Sequence, residues 1–146
     1  MNKITILLLL VCALSKAGYA TFKHNPMRSW NAGEVMEAYV KTVSQGEPEW
    51  VEHLFMDDFE YYLHATNEKY SKRHFVKFLK SMSGYSYDCK TDYTVLDENA
   101  SACIAKMTMQ FENFIRTDYI YLRATQSGWK ISKVLVEHTN ENQQLG

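Results

Sequence analysis

The chain has 146 residues, with 16 basic and 17 acidic side chains and a formal net charge of −1. At 46% hydrophobic and 14% aromatic it can build the core of one domain, while the near-neutral balance offers no basic face to nucleic acid or an anionic membrane. Two prolines and the lack of a repeat or low-complexity tract argue against a linker-rich chain.

Met1-Asn2-Lys3 is a short basic start, residues 4–14 are an apolar run, and Gly18 and Ala20 put small residues at the −3 and −1 positions of a signal-peptidase site. The expectation is a cleavable signal over residues 1–20, Thr21 as the first mature residue, and a periplasmic or secreted address. A spanning helix needs roughly 20 apolar residues, so this run is too short to anchor the chain, and Val11 before Cys12 does not suit a lipobox. No stable membrane insertion is expected after cleavage. Losing Lys3 and Lys16 leaves 14 basic groups against 17 acidic ones, a net charge of −3.

Residues 21–30 read as a loose polar arm around Pro26. Asn31-Ala32-Gly33-Glu34 has the spacing of an N-cap with its reciprocal glutamate. Val35, Met36, Tyr39, Val40 and Val43 then recur at helical spacing until Gly46. Pro48 suits the first turn of a second helix, with Trp50, Val51, Leu54 and Phe55 as its apolar face. Asp57-Asp58 interrupts that pattern, and residues 59–64 read as a short strand with Phe59, Tyr61 and Leu63 on one face. Residues 65–70 form a loop. Ser71 caps a third helix, which turns Phe75, Phe78, Leu79 and Met82 inward and ends at Ser83-Gly84.

From there the period becomes two. Tyr87, Cys89, Thr91, Tyr93 and Val95 share one strand face, and Asp97-Glu98-Asn99 is a turn. Cys103, Ala105, Met107, Met109 and Phe111 share a face of the next strand. Residues 116–125 and 129–138 are two further strands around the turn Gln126-Ser127-Gly128. Helices first and antiparallel strands afterwards predict an α+β domain over residues 31–139, three helices covering one face of a curved sheet, followed by a polar tail over 140–146.

Cys89 and Cys103 would meet an oxidising compartment, which suggests a disulfide. If Leu96 faces Ala100, however, Cys89 faces Met107 and Cys103 faces Tyr93. The two cysteines are then about 13 Å apart along the ladder at roughly 3.3 Å per residue, well beyond the about 7 Å that a disulfide tolerates. Two buried free thiols are expected.

The order of three helices, a short strand and four long strands resembles the nuclear-transport-factor-2-like superfamily. Ala38-Tyr39-Val40, Gly46-Glu47 and Leu54-Phe55-Met56-Asp57-Asp58 look like that superfamily's opening helix pair. Asp118-Tyr119-Ile120-Tyr121-Leu122 with Gly128-Trp129-Lys130-Ile131 looks like its closing hairpin. The resemblance covers residues 31–137 and is nearest the small bacterial domains labelled "putative lumazine-binding", beside the polyketide-cyclase-like group. It implies a cone-shaped sheet with a cavity at its open end. The scaffold itself hosts many unrelated activities.

Ketosteroid-isomerase-like members of the superfamily stabilise an oxyanion with a tyrosine on the first helix and a neutral aspartic acid on a late strand, and move the proton with a carboxylate after the first strand. Carried onto this chain, the resemblance implies Tyr39 and Asp118 for the first two roles. The base position falls on Leu63, which cannot take a proton, so the catalytic pattern is broken there. His64 is next to it and is a candidate base only if a bulge at Tyr61-Tyr62 turns it inward. Asp118 alternates with Ile120 and Leu122 on a core-facing side; its other reading is a carboxylate bonded to a neighbouring strand, Arg116 or Arg123. Tyr39 is also at core spacing. Tyr61, Tyr93, Met107, Met109 and Phe111 form an aromatic and sulfur-rich set suited to lining a pocket for a flat apolar ligand, or to simple core packing. The five histidines lack metal-ligand spacing and no phosphate loop occurs, so neither metal nor cofactor is expected.

The leading expectation is an exported domain that binds a small apolar or aromatic ligand, dimerising through its outer sheet face. The alternatives are a cofactor-independent isomerase, dehydratase or cyclase using Tyr39, Asp118 and His64, and a protein-interaction module using the outward aromatic face with Tyr119 and Tyr121.

Overall fold

The computed structural model describes residues 24–140; the expected signal segment and residues 141–146 of the tail lie outside the described residues. Helix α1 spans Ala32–Gln45. Its start is the capping box expected from sequence: Glu34 N–H donates to Asn31 Oδ1 at 2.9 Å, and Asn31 N–H donates to Glu34 Oε2 at 2.7 Å. Gly46 closes the helix in the left-handed region, φ 66°. A Cβ there would lie 2.5 Å from the Tyr85 carbonyl oxygen, so both the conformation and the close approach require glycine.

The second helix is shorter than its apolar pattern suggests. α2 is the single turn Val51–Leu54, and Phe55 already opens strand β1, Phe55–Leu63. Phe55 pairs with Ile131, which takes it out of the helix. Strand β2, Glu68–Ser71, occupies part of the stretch expected as loop, and pairs antiparallel with β1 from Glu60↔Ser71 to Leu63↔Glu68. Its residues are all exposed and so carry no alternating pattern. Asn67, at φ 56°, turns the chain between the two strands, its side-chain oxygen accepting from the Tyr62 hydroxyl at 2.8 Å.

Helix α3, Lys72–Ser81, buries Phe75, Val76 and Leu79. Two residues expected inside are not: Phe78 is 48% exposed and Met82 is half-buried. Strands β3 (Lys90–Glu98), β4 (Ala102–Gln110), β5 (Phe114–Thr125) and β6 (Gly128–Asn140) complete a six-stranded sheet in the order β2-β1-β6-β5-β4-β3. The class is α+β, with three helices on an open curved sheet. One pairing departs from the antiparallel expectation, because β1 runs parallel to β6. The core lies between α1 and the sheet, with Met36, Tyr39, Phe55, Met107, Met109, Ile120, Leu122 and Ile131 essentially inaccessible.

The β3–β4 register differs from the one expected. Tyr93 faces Met107 and Val95 faces Ala105, four residues displaced, and a bulge between Val95 and Asp97 brings Glu98 opposite Cys103. Asn99 sets this turn: its side-chain oxygen accepts from the backbone N–H of Ser101 and Ala102. The displacement moves the cysteines further apart. Both are free thiols, Cys103 buried and Cys89 only half-buried.

The described part of the expected loose arm is packed. Met27 is fully buried, Asn25 Nδ2 donates to the Ser127 carbonyl at 2.7 Å, and Gly128, φ 103°, lets the Arg28 backbone approach where a Cβ would come within 2.9 Å.

Candidate functional site

Tyr39 projects from the buried face of α1, and Asp118 sits mid-strand in β5 between Met107 of β4 and Val136 of β6. Both are inaccessible, and the Tyr39 hydroxyl donates to Asp118 Oδ2 at 2.8 Å. Arg116 lies two residues before Asp118, which places both on one face of the strand. Its Nε donates to Asp118 Oδ1 at 2.7 Å and its Nη2 to Oδ2 at 2.8 Å, a two-pronged ion pair. Nη2 also donates to the Tyr61 hydroxyl at 3.2 Å.

Burial, and next the Asp118 charge, push the Tyr39 phenol well above its ordinary range. Burial opposes the charge on Arg116, but Asp118 beside it wins and drives the guanidinium upward. Burial pushes Tyr61 up to about 12. His138, on β6, is held below its usual range by burial and then by the Arg116 charge.

Asp118 thus accepts from three donors, and the Tyr39 proton is committed to it. The residues that the resemblance pairs as an oxyanion hole do meet, but the carboxyl is held as an acceptor by Arg116 rather than as a neutral donor. His64 is not part of this group. It is exposed, on the opposite face of β1 from Tyr61, with its ring edge-on to Tyr62. The irregularity in β1 falls between Phe55 and Glu60, before the Tyr61-Tyr62 position that would have turned His64 inward.

Tyr61 also forms one wall of a pocket of about 380 Å³ between β1, β2 and α3, lined with Leu63, Tyr70, His74, Phe75 and Phe78. Its ring stacks on Phe75 at 4.2 Å between centroids, tilted by 19°. Phe75 in turn stacks on Phe78 at 6.4 Å. Tyr70 and Phe78 keep 37% and 48% of their surfaces in water. A second concavity, of about 290 Å³, lies between Trp30, Trp50, Glu37, Lys41 and Glu47 and mixes charges of both signs. The first is the better small-molecule site, because aromatic walls with few polar groups are what such sites are made of.

Residues 28–135 match the family described as "Putative lumazine-binding". The chain belongs to this family. Its fold is also that of several solved structures. An NTF-2-like protein of unknown function from Silicibacter pomeroyi is 14% identical, with a TM-score of 0.59 over 73% of this chain and 92% of that one. An NTF2-like protein from Cytophaga hutchinsonii is 11% identical, with a TM-score of 0.58 over 95% of this chain and all of that one. An uncharacterised protein with a cystatin-like fold from Caulobacter vibrioides is 12% identical, with a TM-score of 0.61 over 77% and 90%. No curated protein matches the chain. At these identities the likeness shows the nuclear-transport-factor-2-like fold alone.

In this family member the residues expected to line a pocket are dispersed. Tyr61 lines it. Met107 and Met109 are fully buried in the core, Phe111 packs edge-on to Tyr87 and flat on Phe114, and Tyr93 is 36% exposed on edge strand β3. The other pocket walls are Leu63, Tyr70, His74, Phe75 and Phe78, none of them expected there from the sequence. The one signal for them was the i, i+3 spacing of Phe75 and Phe78 on α3, which reads equally as a core face.

Proposed function

We propose that this domain binds a small, flat aromatic or heteroaromatic molecule in the pocket between β1, β2 and α3, without transforming it. The observation that carries this reading is the aromatic pocket itself, with Phe78 and Tyr70 left exposed at its edge. The family's description supports it, since a lumazine is a planar bicyclic heteroaromatic. Binding rather than turnover is favoured because the Tyr39 proton and both Asp118 oxygens are engaged within the fold. Titrating the protein with lumazine and following tyrosine and tryptophan fluorescence tests the reading. Saturable binding weakened about tenfold by Phe78→Ala is expected, a loss typical of a ring contact in a desolvated site. Absence of saturable binding, or binding indifferent to Phe78→Ala and Tyr70→Ala, overturns it.

The same proposal includes export and dimerisation. Residues 1–20 have the pattern of a cleavable signal, and N-terminal sequencing of protein from its own host should begin at Thr21. Ile104, Tyr119, Tyr121 and Leu135 stand half-buried on the sheet face away from the helices, a surface suited to a second copy. Sedimentation should give a dimer that Tyr121→Glu reduces to monomer.

A further inference from the structure

Trp30 directly precedes Asn31, the cap of α1, and Trp50 directly precedes α2. The two indoles come together where these helices start: their ring centroids are 5.1 Å apart and their planes meet at 64°. They pack edge to face, so neither ring is stacked flat on the other. Both are half-buried, and both wall the concavity of about 290 Å³. That volume is at the lower end for a small-molecule site and suits a compact group rather than a fused ring system.

Local spacing builds the rest of the wall. Glu34, Glu37, Ala38 and Lys41 recur at i, i+3, i+4 and i+7 and form one stripe of α1. Ala38 is the short residue in the middle of this stripe, where a longer side chain would take up the space. Glu47 and Glu49, on either side of Pro48 in the turn to α2, complete the lining. Four exposed carboxylates thus stand against one ammonium, in a chain whose net charge is only −1. Among the described residues, none of Glu37, Glu47, Glu49 and Lys41 is in a salt bridge.

Exposed carboxylates alone are an ordinary solvated surface. The tryptophans change what this surface can hold, because the face of an indole carries negative charge density and attracts a cation within about 6 Å of the ring. Ring faces and carboxylates therefore favour the same charge. An ammonium with N–H groups gives up hydrogen bonds to water when it meets an indole, whereas a quaternary ammonium has none to give up. We propose that the concavity between Trp30, Trp50 and the α1 stripe is a second binding site, for a small organic cation ending in a quaternary ammonium group. Trp30 and Trp50 contact its methyl groups, Glu37, Glu47 and Glu49 supply the attracting field, and Lys41 offsets one of those charges. This site shares no lining residue with the pocket between β1, β2 and α3, so the two readings stand or fall separately.

The test is calorimetric titration of the unmodified protein with choline and two relatives of the same shape. One is 3,3-dimethylbutan-1-ol, in which carbon replaces the charged nitrogen; the other is ethanolamine, which keeps the charge but carries N–H groups in place of methyls. Choline should bind saturably and about tenfold tighter than either, within the range of a cation on desolvated ring faces. Trp50→Leu should weaken choline about tenfold. Glu37→Gln, at an exposed position where folding is not at stake, should weaken it about two- to fivefold, the scale of one exposed charge. No saturable choline binding overturns the inference. So does a neutral alcohol that binds as well as choline, since charge would then play no part. Ethanolamine binding as well as choline also overturns it, because the carboxylates alone would then account for the site. Choline affinity unchanged by both Trp50→Leu and Glu37→Gln places the cation elsewhere and overturns it too.

Discussion

The buried cluster on α1 and β5 and the pocket between β1, β2 and α3 lie side by side, joined through Tyr61, and they follow opposite rules. In the cluster, polar groups are taken out of water and matched: Asp118 is inaccessible and accepts from Tyr39 and twice from Arg116. In the pocket, aromatic groups that could have been buried are left facing solvent, Phe78 and Tyr70 above all. A buried charge is tolerable only when paired, so the cluster is shaped by the fold's own stability. Exposed rings around a concavity bring the fold no such return and are better explained by what they bind. Tyr61 belongs to both regions.

The largest expected effect is Asp118→Ala, which leaves Arg116 charged, nearly buried and unpaired. Loss of about 3–5 kcal/mol in urea denaturation is expected; a loss under about 1 kcal/mol would mean the cluster does not stabilise the fold. Alkaline pH comes next. The Tyr61 phenol is raised from 10.0 to about 12, so above pH 10 the unfolded chain releases this proton while the folded chain keeps it. The unfolded state then binds fewer protons, and stability, complete below pH 10, should fall by about 2–3 kcal/mol as pH approaches 12. Burial raises Tyr39 too, with the same sign. Urea midpoints between pH 9 and 12 check this, and Tyr61→Phe should flatten the slope.

Tyr39→Phe removes one of the three donors to Asp118 and is expected to cost about 1–2 kcal/mol in the same assay. Phe78→Ala should change stability least, within about 0.5 kcal/mol, while weakening lumazine binding. A protein that lost stability with Phe78→Ala and kept its affinity would reverse the assignment of the two regions.

Helix α1 was legible because its signals are local: a capping box over four residues, an apolar stripe, and a glycine stop. Strand parity likewise puts Arg116 on the Asp118 face and Arg123 on the other, in agreement with the observed ion pair. The β3–β4 register was not legible. Most of β3 is exposed, so burial does not pin it, and the Asn99-centred turn shifts the pairing of Tyr93 and Val95 by four residues, an even number that preserves their face. The pocket was hidden for a related reason. Tyr70 lies on a strand with no buried residue, and Phe78 has the spacing of a core residue that the neighbouring elements fail to cover.

By itself the sequence determined the α+β class, the order of most elements, and the inward faces of β1, β4 and β5, because helix caps and hydrophobic periods act over a few residues. Only the tertiary structure decided that β1 lies parallel beside β6 and that Tyr39 reaches Asp118 across 79 residues. It also decided that the carboxylate is held by Arg116 and that the aromatic surface left open is at α3 rather than on β4. Those outcomes depend on which elements pack together and how completely they cover one another, and no local pattern carries that.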